Sequence, residues 1–419
     1  MQLRVPKRNW NGQAGDIRST LQTWNWRWQL PKGDNELVLD FSEVAFLEPW
    51  ALALFTAYGL QMKLNGAQVS TRLDPHNPCN VYLQQMGIAE VLRTGQSTQA
   101  WDDSHQNTGL HVISSHQDVV RFRKSAALLG GGPDESAMDA LQYGMSELGR
   151  NVVQHAASVI GGVAIAQFFP DARRIQIAIC DCGIGVRQAL LPRYPEISGN
   201  MEALKLALLP HVSGAMPHGP YASSENAGLG LFFSKEICWR SVGSFWIASQ
   251  DALVGVNHDD ASARERIYRT INPWPGTLVV MDLPSKGVED FAGLIQLCNV
   301  LASDARKSSG PAGLEFVQSA EELGDAHVVA IAPFAEDVER ARVVADTEIR
   351  PIVESGKTVV LDFAGTRFVT QSFVHALLHD VFRMNLSLVR LIFLHCTLST
   401  EEAIRAVAGY AASYRQIKF

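Results

Sequence analysis

Two stretches near opposite ends of the chain align without gaps. Leu39-Asp40-Phe41-Ser-Glu-Val-Ala-Phe46 lies over Leu361-Asp362-Phe363-Ala-Gly-Thr-Arg-Phe368, and a helical pattern begins shortly after each. A repeated strand-to-helix unit is a strong constraint, because each copy must bury its own apolar strand against its own helix. In the first copy, Trp24 to Leu30 alternates as a half-buried strand would. Glu36 to Phe41 reads as a second strand, Glu48 to Leu64 as a helix, Val69 to Leu73 as a third strand and Asn77 to Gly87 as a second helix. In the last copy, His327 to Ala332, Thr358 to Phe363 and Val389 to Leu394 read as strands. Ala335 to Val353, Ser372 to Met384 and Thr400 to Ala412 read as helices between and after them. The alternation predicts an α/β (α+β) chain. The tryptophans at 24, 26 and 28 are expected to pack against a helix, since aromatic side chains dominate buried faces.

Between the repeats stands Glu147-Leu-Gly-Arg-Asn151-Val-Val-Gln-His155, late in a helical run from Asp134 to Ala157. Ala140, Leu141, Met145, Leu148, Val152 and Val153 form its apolar stripe, and Asp134 is a good cap. Glu147 and Asn151 are four apart and share a face. A carboxylate above an amide suits a base beside an oxygen ligand for Mg²⁺. The strand-like Ile175-Gln-Ile-Ala-Ile179 then leads into Asp181-Cys-Gly183-Ile-Gly185. Here glycines let backbone approach a flat ligand, and the carboxylate can accept from an exocyclic amine. Ala227-Gly228-Leu229-Gly230 precedes a probable helix, whose unsatisfied N–H groups favour phosphate. Lys235, one turn into that helix, is within reach of a phosphate. Pro275-Gly276 then announces a strand from Thr277 to Met281.

These boxes, in this order over roughly residues 108 to 285, resemble the GHKL family of ATP-binding domains. That family includes histidine kinases, type II topoisomerases, Hsp90-type chaperones, mismatch-repair ATPases and anti-sigma serine kinases. The resemblance implies a two-layer α/β sandwich that binds ATP and Mg²⁺. It implies that Asn151 is the metal ligand and Glu147 the catalytic carboxylate. Asp181 would read the adenine amino group, with Gly183, Gly185 and Thr277 around it, and Gly228, Leu229, Gly230 and Lys235 would serve the phosphates. Residues 186 to 227, rich in Pro and Gly, fall where the family carries its nucleotide lid. Two departures are visible: Gln154 stands where many relatives have a lysine, and Ala227 replaces a more usual Gly or Thr. The run Ser146 to Ala156 is locally similar to the box of the anti-sigma kinases.

The two ends, roughly residues 20 to 95 and 315 to 415, resemble STAS domains. The domain expectation is therefore 1–100 STAS-like, 108–285 GHKL and 312–419 STAS-like. That family often carries a regulatory phosphoserine at the start of the helix after the repeated strand. The position falls on Ser372 in the second copy and on Trp50, which accepts no phosphate, in the first. At Ser372 an N-cap role is the alternative to a switch.

Composition narrows the rest. With 36 basic against 43 acidic residues the net charge is −7, and there is no basic block, so a general nucleic-acid binder is not expected. Six scattered cysteines make neither a zinc spacing nor a disulfide framework, which points to a cytoplasmic setting. No apolar N-terminal core suggests a secretory signal, and the apolar run Pro49 to Leu60 is too short to span a bilayer. His111 and His116 lie in a strand-like context, unlike the helical hairpin of a sensor histidine kinase. Three readings follow: an ATP-operated signalling switch with ATPase activity, an anti-sigma-type serine/threonine kinase acting on a STAS partner or on Ser372, and a scaffold with structural nucleotide. A protein partner through the STAS-like ends is implied, and a homodimer stays open.

Overall fold

The computed structural model describes residues 1–5, 9–10, 14–23, 26–98, 106–130, 132–195, 197–210, 212, 228–258, 265–286, 288, 290–304, 314–319, 326–384 and 391–415. The chain divides into two compact units, Met1–Leu208 with Ser234–Val288, and Leu209–Phe233 with Glu289–Phe419. The architecture is mixed α/β, as expected.

The first unit begins with β1 (Gln2–Arg4), β2 (Asn9–Trp10), α1 (Ala14–Thr23), β3 (Glu36–Asp40), β4 (Phe46–Leu47), α2 (Pro49–Leu64), β5 (Gln68–Arg72), α3 (Pro78–Gln85) and α4 (Ile88–Thr94). Strands β1, β3 and β5 form a parallel sheet in the order β1-β3-β5. Next come β6 (His111–Ile113), α5 (His116–Ser125), α6 (Glu135–Asn151), β7 (Gly162–Phe169), β8 (Arg174–Asp181), α7 (Gly185–Leu190) and α8 (Asn200–Ala207). Helix α9 (Gly230–Arg240) runs across the division between units, and β9 (Ser244–Asn257) and β10 (Glu265–Pro284) complete the first. The central sheet is antiparallel, in the order β6-β7-β8-β10-β9.

Alternation along β8 explains why this sheet is covered twice. Ile177 faces α6, where a methyl group on Gly144 would stand 3.1 Å from its side chain and 2.9 Å from Met281 Sδ. Gln176, Ala178 and Cys180 face the other way, towards α2. The Trp50 N–H donates to Gln176 Oε1 at 3.1 Å, and Ala178 and Cys180 join one continuous core with Leu39, Phe41, Trp50 and Phe55. Residues 1–100, expected as a domain of their own, therefore share their core with the central sheet.

The run that reads as a strand from Trp24 is not one. Residues 26–30 form bends and coil, and Trp24 lies outside the described residues. Trp26 and Trp28 instead interlock with Tyr58 of α2 and Trp274 of β10 at ring separations of 5.0 to 5.3 Å. Burying four aromatic rings outweighs the alternating pattern.

The second unit contains α10 (Phe291–Asp304), β11 (Leu314–Val317), β12 (His327–Ala330), α11 (Val338–Val344), α12 (Arg350–Glu354), β13 (Val359–Asp362), α13 (Gln371–Arg383), β14 (Leu391–Leu394) and α14 (Leu398–Arg415). Its four strands are parallel, ordered β11-β14-β13-β12. The single helix expected over Ala335–Val353 is broken: α11 passes through a π-turn, Ala345–Ile349, into α12, with Pro351 at its start. The repeat is expressed in matching hydrogen bonds. Phe41 N donates to Arg72 O and Val5 N to Asp40 O, just as Phe363 N donates to Leu394 O and Ile331 N to Asp362 O. Asp40 and Asp362 each accept the N–H two residues on, at 3.0 and 2.9 Å.

Ser372 is not the N-cap of α13. Thr370 fills that place, its hydroxyl accepting from Phe373 N, while Ser372 sits inside the first turn at 7 % exposure. Threonine at 370 precedes the first helical residue, so its side chain reaches an orphan N–H that a residue already inside the helix cannot reach.

Candidate functional site

Helix α6 carries the first part of the site. Asp134 caps it by accepting from Ala137 N at 2.8 Å. After Asn151 the ladder slips into a π-turn, Val152–Ala156, and ends on Ala157 in the left-handed conformation. Such π-turns recur at functional sites because they redirect side chains out of a regular helix. Glu147 is 4 % exposed, and one of its oxygens accepts from Arg150 Nη2 at 2.7 Å. In and near this turn, Asn151 Nδ2, Gln154 Nε2, Gln154 Oε1 and the Ser146 hydroxyl are buried and have no hydrogen-bond partner among the described residues.

The second part lies at the end of β8. Asp181 Oδ1 accepts from Gly183 N at 2.8 Å and from Thr277 N at 3.3 Å, while its own carbonyl accepts from Trp274 Nε1 at 2.7 Å. Burial pushes the carboxyl up to about 7, against the lowering effect of those two backbone amides. Gly183 has no room for a side chain, because a Cβ would sit 1.9 Å from Ala156 O. Ile184 N donates to that same carbonyl at 2.8 Å. The π-turn of α6 is thus clamped directly onto the Asp181 loop. Gly185 has φ +74°, a conformation that glycine adopts without strain.

The structure therefore brings together Asp181, Gly183, Gly185 and Thr277, from β8, the turn after it, the start of α7 and β10, and sets against them Ala156, at the end of the π-turn that follows Asn151. Thr277 contributes its backbone N–H. Gly228, Leu229 and Gly230 belong to the second unit, where Gly228 packs against the backbone of Val212. Lys235, expected to meet a phosphate, is buried with its Nζ 2.8 Å from Glu265 Oε1. The last part of the expected lid, residues 213–227 with His218 and Ala227, lies outside the described residues, as does His211.

Several supporting residues carry no local sequence signal. Ser249 Oγ donates to Gly276 O at 2.9 Å and accepts from Val186 N at 2.9 Å, tying β9 to both glycine turns. Gln250 Nε2 donates to Pro275 O at 2.7 Å. Arg187, on α7, packs its helix against the π-turn and gives Nη2 to Ile197 O at 3.2 Å, with its Nε buried and unpartnered. A separate open cleft of about 850 Å³, lined by His111, Asp118, Arg121 and Lys124 among others, involves none of residues 147–155 or 181–185.

Among the described residues no cluster of three or more His, Cys, Asp or Glu side chains could hold a metal, so any Mg²⁺ would depend on an amide and on its own ligands. Among the described residues no helix is long and apolar enough to cross a membrane, and all six cysteines are free. No family model, curated protein or solved structure matches the chain.

Proposed function

We propose that residues 108–285 form a GHKL-type domain that binds Mg·ATP, and that its nucleotide state is passed through the STAS-like ends to a protein partner in the cytoplasm. The observation that carries this reading is the Asp181 carboxylate. One of its oxygens is fixed by two backbone amides, one from the turn after β8 and one from β10, and the other takes no hydrogen bond from any described residue. A buried acceptor so fixed suits an exocyclic amine, and the glycines beside it allow the close backbone packing that holds it in place. The unpartnered amides of Asn151 and Gln154 fit a ligand rich in oxygen, because buried polar atoms normally have partners.

Asn151 would hold Mg²⁺ through its amide oxygen, an assignment that the near-equivalence of amide O and N permits. A metal held there would supply positive charge to offset that of the phosphates. Glu147 would orient or deprotonate an attacking water, with Arg150 fixing its carboxylate. ATP hydrolysis is favoured over phosphorylation of the chain's own Ser372, since that hydroxyl lies in a nearly buried turn.

Calorimetric titration with Mg·ATP tests the reading. Binding by the wild type, its loss in Asn151→Ala and its retention without phosphate release in Glu147→Ala are the expected results. Equal affinity in wild type and Asn151→Ala would overturn it.

A further inference from the structure

Strand β12 ends the parallel sheet of the second unit, with β13 on one side and no strand among the described residues on the other. His327 N donates to Thr358 O at 3.2 Å and Ile331 N to Asp362 O at 2.8 Å, both towards β13. By the alternation of a parallel ladder, Val328 and Ala330 turn their N–H and C=O groups outward, where none has a partner among the described residues. Val328 is also 49 % exposed. Nothing in β12 repels another strand, since it has no proline, lysine or bulge. The chain guards an edge elsewhere: β5, at the end of the first unit's parallel sheet, exposes Gln68, Ser70 and Arg72.

Beside this edge runs an open groove of about 450 Å³, walled by α11 and the π-turn after it. Phe334 and Val344 line it with apolar surface, and Arg340 and Glu348 stand in it four residues to either side of Val344. Arg340 is exposed and enters no ion pair among the described residues, while Glu348 pairs with His327 at 2.7 Å.

We propose that a second copy of this chain lays its own β12 antiparallel along this edge, about a two-fold axis through Val329. That register sets Val328 opposite Ala330 of the copy, and each such pair exchanges two N–H···O=C bonds, so every outward group of both strands is used. The two four-stranded sheets become one. Helix α11 and its copy then lie antiparallel on the same side of the joined sheet, with Val344 near the axis. Because Arg340 and Glu348 are equally far from Val344 along the chain, each Arg340 meets the Glu348 of the other copy. Any extended peptide would satisfy the backbone edge, but opposite charges spaced evenly about an apolar centre favour a two-fold copy.

The test is sedimentation velocity of the full chain from low to high micromolar concentration, for wild type, Arg340→Glu, Glu348→Arg, an equimolar mixture of those two, and Val328→Pro, with circular dichroism to confirm that each is folded. The wild type should dimerise. Either reversal sets like charges opposite each other at both symmetric contacts and should raise the dissociation constant by about 10- to 100-fold. The mixture should recover the wild-type dimer, because in a mixed pair both contacts again join opposite charges. Val328→Pro removes an outward N–H that the single chain does not use, so it should fold and stay monomeric. A wild type that remains monomeric at high micromolar concentration, a mixture no more dimeric than its components, or a Val328→Pro dimer of wild-type strength overturns the inference.

Discussion

Asp181 and Thr277, 96 positions apart, meet through one hydrogen bond: the Thr277 N–H donates to Asp181 Oδ1 at 3.3 Å. The meeting is set by register, because β8 and β10 pair antiparallel with Cys180 opposite Leu278. The carboxyl is held where burial favours its protonated form, pushed up to about 7. An amine donor requires the ionised form. ATP affinity should therefore rise with pH between about 6 and 8 and level off above, with proton release on binding. Titration in buffers of different ionisation enthalpy measures that release. Asp181→Asn should bind weakly with no pH slope, and a persisting slope would assign the proton to another group.

Gly183 has Ala156 O in the place a side chain would occupy. Gly183→Ala should force the π-turn away from the loop, costing about 1–3 kcal/mol as overpacking does and weakening nucleotide binding at least as much. Urea unfolding and calorimetry on the same protein would separate the two effects. Unchanged values in both would mean that the clamp is loose.

A buried charge network joins α2 to the central sheet. Arg174 bonds Glu48, and also Asp282 at 2.6 Å, while Gln176 Nε2 donates to Glu48 Oε2 at 2.8 Å. Removing the cation with Arg174→Ala would leave two carboxylates facing each other, at a cost of about 3–5 kcal/mol in unfolding experiments. Arg174→Lys should recover part of that loss.

The same network predicts how stability changes with pH. Burial pushes Glu48 up to about 7, against the pull of Arg174. The folded chain then keeps a proton that the unfolded chain releases near 4.5, so this contribution is intact below about 4.5 and is lost as pH rises through 7. Asp181 acts in the same direction from 3.8. Unfolding free energy should fall between pH 5 and 8, and Glu48→Gln should flatten the fall by about 2–3 kcal/mol at most. A steeper fall in the variant would contradict the assignment.

Trp274 serves both the aromatic cluster and the site, stacking edge-on against Trp26 at 5.0 Å and donating its Nε1–H to Asp181 O. Trp274→Phe keeps most of the apolar area and loses the donor, so nucleotide affinity should fall more than stability. Trp274→Ala should cost about 3–5 kcal/mol in unfolding as well.

The local elements were legible because their causes are local. The amphipathic stripe of α6, its Asp134 cap, the Leu-Asp-Phe strand ends and the glycine turns after β8 depend on neighbours within a few residues, and the structure has each of them. The candidate residues from α6, β8 and β10 were also named from sequence alone, by the order of their motifs.

Whatever depended on partners far along the chain was decided by tertiary packing. Trp26 and Trp28 left the strand pattern because Tyr58 and Trp274 offered rings to bury against. Lys235 found Glu265 on a strand 30 residues away, and Thr370 took the cap expected of Ser372. The N-terminal repeat joined the core of the central sheet because the even-numbered face of β8 needed covering and α2 supplied it. The sequence by itself determined which helices and strands could form, since backbone propensity and side-chain period act within a single element. Tertiary structure alone decided which polar atoms found partners and which, at Asn151, Gln154 and Arg187, have none among the described residues. Hydrogen-bond satisfaction is a property of the assembled fold, fixed only when distant elements meet.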